Sequence, residues 1–386
     1  MSYLESDVEI EHPKRTLSVG RLGREVRDDR PSMGSPYWGR ARLRGMRGSM
    51  QKFKLVNLFA GVGSWSLAAH HLGVPVVGVE CPEGACETRR AAGLATVEEP
   101  VQALGPADFP GENVLASHPP AQNLTVAGQG PARAALTQVL DFVDRMTRRE
   151  DIGPELAQVK DERTRLVLEP LRWALDAVDK DCAYEAIALI HIPSLLPLWE
   201  AMGEVLTARG YSVACGLLRA EQYGVPQTRR SSVMIARRGA VARLPLPTHR
   251  AYRKGVPREE GDPLLLPWVS MGEALSRPYP FEVISNYGVG GDPRARGRRT
   301  SGEPAFMVTG KVGRTRLVTP DGTVLPRLSP SEVGQLQTFP ADFPWAGRDV
   351  TRQIGNAVPP LLGAHILAAA LGLPAPTSTC SRPATS

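Results

Sequence analysis

The sequence predicts an α/β protein in which a largely parallel sheet is covered by helices on both faces and a smaller, loop-rich second body is set into the chain. Three observations carry this. Short apolar runs alternate with longer helical patterns between residues 55 and 236, the texture turns Gly-, Pro- and Arg-rich after Gly239, and regular order returns near residue 327. Strands separated by helices pair in parallel through right-handed crossovers, and such sheets bind ligands at their strand carboxyl ends.

The strand candidates, in order, are 55–59 (LVNLF), 74–79 (VPVVGV), 113–116 (NVLA), 185–190 (EAIALI), 211–218 (YSVACGLL) and 232–236 (SVMIA). The clearest helix is 195–208, where Leu195, Leu198, Met202, Val205 and Leu206 share one face and Gly210 is the stop. Residues 239–326 show little periodicity and read as the second body. The sheet body is then 51–238 together with 327–373, ending in an apolar helix, and the Ser/Thr/Pro-rich 374–386 is expected to be a disordered tail.

Composition narrows the class. A chain of 386 residues with 42% hydrophobic content can bury a substantial core. The 46 Lys and Arg outnumber 40 Asp and Glu, a modest excess that suits a nucleic-acid partner. Ten cations fall within 13–48, among them Arg40, Arg42, Arg44 and Arg47. Residues 1–50 are therefore expected to form a basic arm, either solvated and partly disordered or contacting phosphate. The five cysteines show neither a Cys-x-x-Cys pair nor a histidine at metal-ligand spacing, so neither a metal nor a disulfide framework is expected. The charged first twenty residues argue against a signal peptide, and no run approaches the roughly 18 apolar residues of a membrane span, so a cytoplasmic location is expected.

The first chemical motif is NLFAGVGSWSL (57–67), directly after the first strand. Gly61 and Gly63 allow a tight turn that leaves amides near a helix start, and Glu80 closes the next strand, where a carboxylate can accept from a ribose diol. This pairing suits a nucleoside cofactor; a structural turn beside a solvent-facing acid is the alternative.

The ordered series FAGVG (59–63), Glu80, Pro-Pro-Ala-Gln (119–122), EQYGVPQTRR (221–230), RLSPSEVGQLQTFPADF (327–343) and QIGNAVPP (353–360) resembles the motif series of DNA cytosine-5 methyltransferases over about residues 55–370. The resemblance implies a Rossmann-like sheet domain dependent on S-adenosyl-L-methionine (AdoMet), a target-recognition domain at 239–326, and double-stranded DNA in the cleft with a cytosine flipped out. It implies a cofactor site at Phe59, Gly61, Val62, Gly63, Glu80, Pro119 and Asn356. DNA contacts are expected from Gln122, Arg294, Arg296, Arg298, Arg299, Lys311, Arg314, Arg316 and Gln353. The final helix is expected beside the glycine motif.

The chemistry the family resemblance implies is addition of a cysteine thiolate at cytosine carbon 6, with a glutamate at the ring nitrogen and an arginine at the carbonyl. This sequence departs at each of those positions. Ala121 stands at the nucleophile position, His191 where the glutamate is expected, and Ser231 at the second arginine of a Gln-x-Arg-x-Arg string, while Arg229 is retained as an expected ion-pairing group. The cofactor side departs too, with Ser64 for a second glycine, Cys81 and Pro82 in place of an aromatic after Glu80, and Pro100 near an expected acid. Cys86 and Cys215 read as inert packing residues, and His118 with His191 either as a two-histidine site or as polar filling.

Three functions follow from these departures. The chain is a DNA-binding, catalytically defective homologue acting as regulatory or specificity partner of an active methyltransferase; or an enzyme with altered chemistry on a flipped base, such as exocyclic-amine methylation; or a cytosine-5 methyltransferase with residual activity. A restriction-modification setting is what the resemblance implies.

Overall fold

The computed structural model describes residues 52–121, 124, 130–285 and 296–376. The basic arm, Gln122, Arg294 and the tail from 377 lie outside the described residues.

The apolar run after Lys54 forms strand β1 (Leu55–Leu58), and the glycine motif leads into helix α1 (Ser64–His71). There follow β2 (Val76–Val79), α2 (Glu83–Ala91), β3 (Thr96–Val97) and β4 (Val114–Ser117), then helices α3 (Gly130–Thr147), α4 (Gly153–Gln158), α5 (Glu162–Leu166) and α6 (Glu169–Asp179). Strand β5 (Ala186–His191), α7 (Leu196–Thr207), β6 (Tyr211–Arg219), the two-residue β7 (Gln227–Thr228) and β8 (Arg230–Arg238) complete the first part. The expected helix at 195–208 is α7, and every residue of its expected apolar face is buried.

Strands β1 to β6 and β8 form one seven-stranded sheet in the order β3-β2-β1-β4-β5-β8-β6. Alternate strand residues feed two cores. Leu55, Val114, Ala116, Ala188 and Ile190 pack with Trp65 of α1, whereas Val56, Leu58, Leu115, Ile187 and Leu189 pack with Phe142, Trp173 and Trp199 of α3, α6 and α7. Both faces are thereby covered, as in Rossmann-like folds.

The expectation of parallel pairing fails at one strand. β8 runs antiparallel to both β5 and β6. The cause is the connection: residues 220–229 contain only a 3-10 turn and β7, without the helix that a parallel crossover needs. The two-residue β3 had not been anticipated either.

In the second part, helix α8 (Met271–Ala274) precedes β9 (Glu282–Ile284), β10 (Arg298–Thr300), β11 (Ala305–Phe306), β12 (Arg316–Val318) and β13 (Val324–Leu325). Four of these strands form an antiparallel sheet, β10-β9-β12-β13, while β11 pairs in parallel with β7. Val283 and Leu317 of the small sheet share one apolar cluster with Val358 and Leu361, so the two sheets are joined by core rather than by a linker.

The chain closes through α9 (Pro330–Leu336), α10 (Val350–Asn356) and α11 (Pro360–Leu371). As expected, α11 packs on the helix that follows the glycine motif: a side chain at Gly363 would meet Ala68 at 3.4 Å. The stretch Val350–Leu371 does have the length and hydropathy of a membrane span, contrary to expectation. However, 89% of its most apolar window is buried inside the protein, and residues 357–359 interrupt it.

Candidate functional site at the strand carboxyl ends

The loop after β1 turns sharply, with Phe59 and Gly61 both at φ +53°. The Gly61 amide donates to Glu80 Oε2 at 2.6 Å and the Cys81 amide to Oε1 at 3.2 Å, so the acid that ends β2 is already held against the turn. Glu80 is nearly buried; burial raises its pKa, opposed by those two amides and by the charge of Arg89. Space beside Gly61 is open, with no atom within 4 Å of where a Cβ would stand. Gly63 has a different reason to be glycine, because a Cβ there would lie 2.2 Å from Leu94. Val62 is buried against Phe339, Phe343 and Ala357, and Asn356 is exposed at the end of α10.

Beneath this turn lies a residue that sequence reasoning missed. Arg89, on α2, is fully buried. Its Nε donates to Thr96 Oγ1 at 2.8 Å, Nη2 to the Ala95 carbonyl at 2.9 Å and Nη1 to the Ala60 carbonyl at 3.5 Å. Burial lowers its pKa to about 10, so it stays charged at neutral pH. The available signal was Gly78 inside the strand VVGV, since a glycine in a strand often marks close approach of another group. A Cβ at Gly78 would sit 2.2 Å from Arg89 Nη2.

The segments after β4 and β5 and at the start of β8 converge beside it. Ala121 is completely buried, accepts the Leu124 amide at 3.0 Å, and packs in the core with Leu58 and Leu115. The rings of His118 and His191 lie 4.8 Å apart. His191 Nδ1 accepts the Ile192 amide at 2.8 Å, which leaves the proton on Nε2, and the ring also hydrogen-bonds the Pro119 backbone. Since proline has no N–H, the Pro119 carbonyl is the acceptor. Burial, reinforced by the Arg229 charge, lowers the His191 pKa to about 4. Burial likewise holds His118 well below the ordinary histidine range, with His191 and Arg229 adding to the effect. Both imidazoles are therefore neutral at pH 7. Among the described residues, no group of three His, Cys, Asp or Glu can hold a metal ion.

Arg229 is buried, and Nη1 donates to the Ala357 carbonyl at 3.0 Å, a carbonyl contact in place of the expected ion pair. Ser231 is buried opposite Leu218, and Ser232 Oγ donates to the Ile192 carbonyl at 2.7 Å. The motif strings in this region are bonded to one another. Gln227 Nε2 donates to the Leu336 carbonyl and to Gln337 Oε1, and Gln337 Nε2 donates to the carbonyls of Ile354 and Ala357. The strings at 221–230, 327–343 and 353–360 thus share one buried network.

Comparison with known proteins agrees with this arrangement. The family model for C-5 cytosine-specific DNA methylase matches residues 276–371. The Type II methyltransferase M1.HphI of Haemophilus parahaemolyticus is 26% identical over 348 residues, covering 82% of this chain and 86% of that protein. The Type II methyltransferase M.NgoFVII of Neisseria gonorrhoeae is 24% identical, covering 82% and 85%. In sequence, the chain is thus similar to DNA cytosine-5 methyltransferases. Its fold is shared with the crystal structure of the S. pombe Dnmt2 methyltransferase, with a TM-score of 0.54 at 15% identity over 83% of this chain and 98% of that one.

Methyltransferases of this family depend on AdoMet, and the residues here fit its ribose: an anchored, nearly buried carboxylate faces an open glycine turn. They give less to the adenine, because the positions after Glu80 are the exposed Cys81 and Pro82 rather than an aromatic face. Of the expected DNA contacts, Lys311, Arg314 and Arg316 are exposed, Arg296 is half-buried, and Arg298 is exposed but ion-paired with Glu282 at 3.2 Å. Two others have partners within the protein. The Arg299 guanidinium lies against the rings of Tyr252 and Phe306, at 4.6 and 4.5 Å, and its Nη1 donates to the carbonyls of Pro304 and Ala305. Gln353 accepts from Thr88 Oγ1 and donates to the carbonyls of Ala346 and Arg348, which makes it a strut between α2 and the loop before α10.

Proposed function

We propose that this chain is a DNA-binding member of the family in which cytosine-5 chemistry has been lost, and that it acts as a regulatory or specificity partner of an active methyltransferase. One observation carries the reading: the loop position that resembles the family's nucleophile is a buried alanine, and no described cysteine offers a thiolate in its place. Cys86 Sγ donates to the Glu80 carbonyl and Cys215 Sγ to that of Trp199, with burial pushing their thiols up to about 11 and about 12. Burial also raises Cys81, helped by Glu80 and Glu162, and Cys182 precedes the amino end of β5, whereas Ala121 follows the carboxyl end of the parallel neighbour β4. A thiol protonated at neutral pH adds poorly to a pyrimidine.

The other two base-activating positions support the same reading. His191 has both ring nitrogens committed to backbone partners, and a neutral imidazole cannot reproduce a carboxylate accepting from the cytosine amine. Ser231 supplies no charge for the developing oxyanion. What is retained is the scaffold: the buried glutamine network and an exposed basic set at Lys311, Arg314 and Arg316 suited to phosphate.

The anchored Glu80 favours a second reading, in which AdoMet still binds and methyl transfer goes to an exocyclic amine without a cysteine adduct. AdoMet, where bound, would be held by Glu80 and the glycine turn and would supply the methyl group for such a transfer. The buried Ala121 offers such a base no aromatic face. Mass spectrometry of nucleosides from DNA of cells expressing the chain separates the readings. The proposal expects no new modified base together with retention of DNA by the purified protein. A methylated amine would favour the second reading, and absence of any DNA affinity would refute the first.

A further inference from the structure

The Ala60–Gly61 peptide sits between two buried ionisable groups. Its carbonyl accepts from Arg89 at 3.5 Å and its N–H donates to Glu80 at 2.6 Å, so one amide dipole lies with its negative end on the guanidinium and its positive end on the carboxyl group. Arg89 makes no ion pair among the described residues; its other contacts are neutral, with Thr96, Ala95 and, at 3.4 Å, Ser66. Such a buried guanidinium carries a desolvation cost that no salt bridge offsets. The arrangement is compact enough that the strand beneath requires a glycine, Gly78, to admit it.

We propose that Arg89 is the positioning residue of the nucleoside site: acting through the Ala60–Gly61 peptide, it fixes the glycine turn and holds Glu80 in the orientation that receives the ribose diol of an adenosyl ligand. The inference rests on reading the glycine turn and Glu80 as the nucleoside site. Arg89 itself lies under the turn and touches no ligand. Its charge also favours the ionised form of Glu80, alongside the Gly61 and Cys81 amides and against burial. The titratable groups around this acid are Arg89, Cys81 and Cys86. In this way the turn is preorganised without ligand, which compensates in part for the missing aromatic face at Cys81 and Pro82.

The test uses the full chain, with S-adenosylhomocysteine as probe. Calorimetry on wild type, Arg89→Met, Arg89→Lys, Glu80→Gln and the Arg89→Met/Glu80→Gln double variant gives the coupling between the two residues. Hydrogen exchange over 58–67 without ligand reads the turn directly. We expect Arg89→Met to weaken binding by about tenfold or more, with Arg89→Lys intermediate, little further loss when Glu80 is already Gln, and faster exchange at 58–67. A purely structural arginine would lower Tm and give losses that simply add across the cycle; that result overturns the proposal. If Arg89→Met does not fold, the Arg89→Lys comparison carries the same decision. Wild type that binds no S-adenosylhomocysteine refutes the nucleoside reading and the proposal with it. Wild-type binding with an unaffected Arg89→Met refutes the role of Arg89 alone.

Discussion

Replacing Gln227 by alanine removes the side chain at the centre of the network that joins the three motif strings. Gln227 Nε2 donates to the Leu336 carbonyl at 2.9 Å and to Gln337 Oε1 at 2.6 Å, and its Oε1 accepts the Val308 amide at 3.0 Å. All four residues are nearly or completely buried, so water does not easily replace what is lost. Gln337 keeps its bonds to Ile354 and Ala357, which leaves the Val308 amide and the Leu336 carbonyl as the main orphans. Each buried orphan costs about 1–3 kcal/mol, giving about 2–6 kcal/mol in total. Taking an unfolding entropy of about 2.1 cal/mol/K per residue over the described fold, about 4 kcal/mol lowers Tm by roughly 6 °C. Thermal unfolding by calorimetry, with hydrogen exchange at 305–310 and 334–340, measures both the global and the local effect. A Tm within about 1 °C of wild type and unchanged exchange at 305–310 would refute the claim that this glutamine ties the segment after β11 to α9.

Three further outcomes follow from the same geometry. Ala121→Cys alone restores no 5-methylcytosine by nucleoside mass spectrometry, because the new thiol would be buried, His191 is neutral and Ser231 stands in place of the second arginine; methylation well above a vector control would contradict this. Stability falls on acidification: His191 and His249 have folded pKa values of about 4, both lowered chiefly by burial, so below pH ~6.5 the unfolded state takes up protons first. The loss from His191 runs from about pH 6.5 down to about 4 and reaches about 3 kcal/mol, so His191→Gln should flatten the urea-midpoint profile over that window; a profile as steep as wild type would refute the assignment. Gly78→Ala places a methyl 2.2 Å from Arg89 Nη2 and 2.7 Å from Ala60 Cβ, and should cost about 1–3 kcal/mol in chemical denaturation; a neutral effect would mean that Arg89 is less tightly held than described.

Much of the fold was legible because it follows from periodicity. Apolar strands bounded by helices identified six of the seven strands of the large sheet, and the face of α7 was readable residue by residue. The direction of β8 was misread because adjacency was inferred from alternation, although the 220–229 connection is too short in structure to carry a crossover. The small sheet was not legible, since its two- and three-residue strands carry too little pattern to stand out from loop. At the site, the motif positions could be named, but their states could not. That His191 tethers Pro119, that Arg299 lies against Tyr252 and Phe306, and that Gln353 is a strut are consequences of long-range packing. Arg89 was hidden for the same reason: a basic residue on a surface-like helix reads as solvated until Gly78 and the Ala60 carbonyl are seen beneath it.

The central claim, that the family's cytosine-5 chemistry is absent from this chain, is tested most directly by isotope-dilution mass spectrometry. Nucleosides from the DNA of a methylation-deficient host are compared with and without expression of the protein. The account predicts a 5-methylcytosine level equal to the vector control. A level that rises with expression, and falls when the chain is omitted or its Glu80 is replaced, would contradict it.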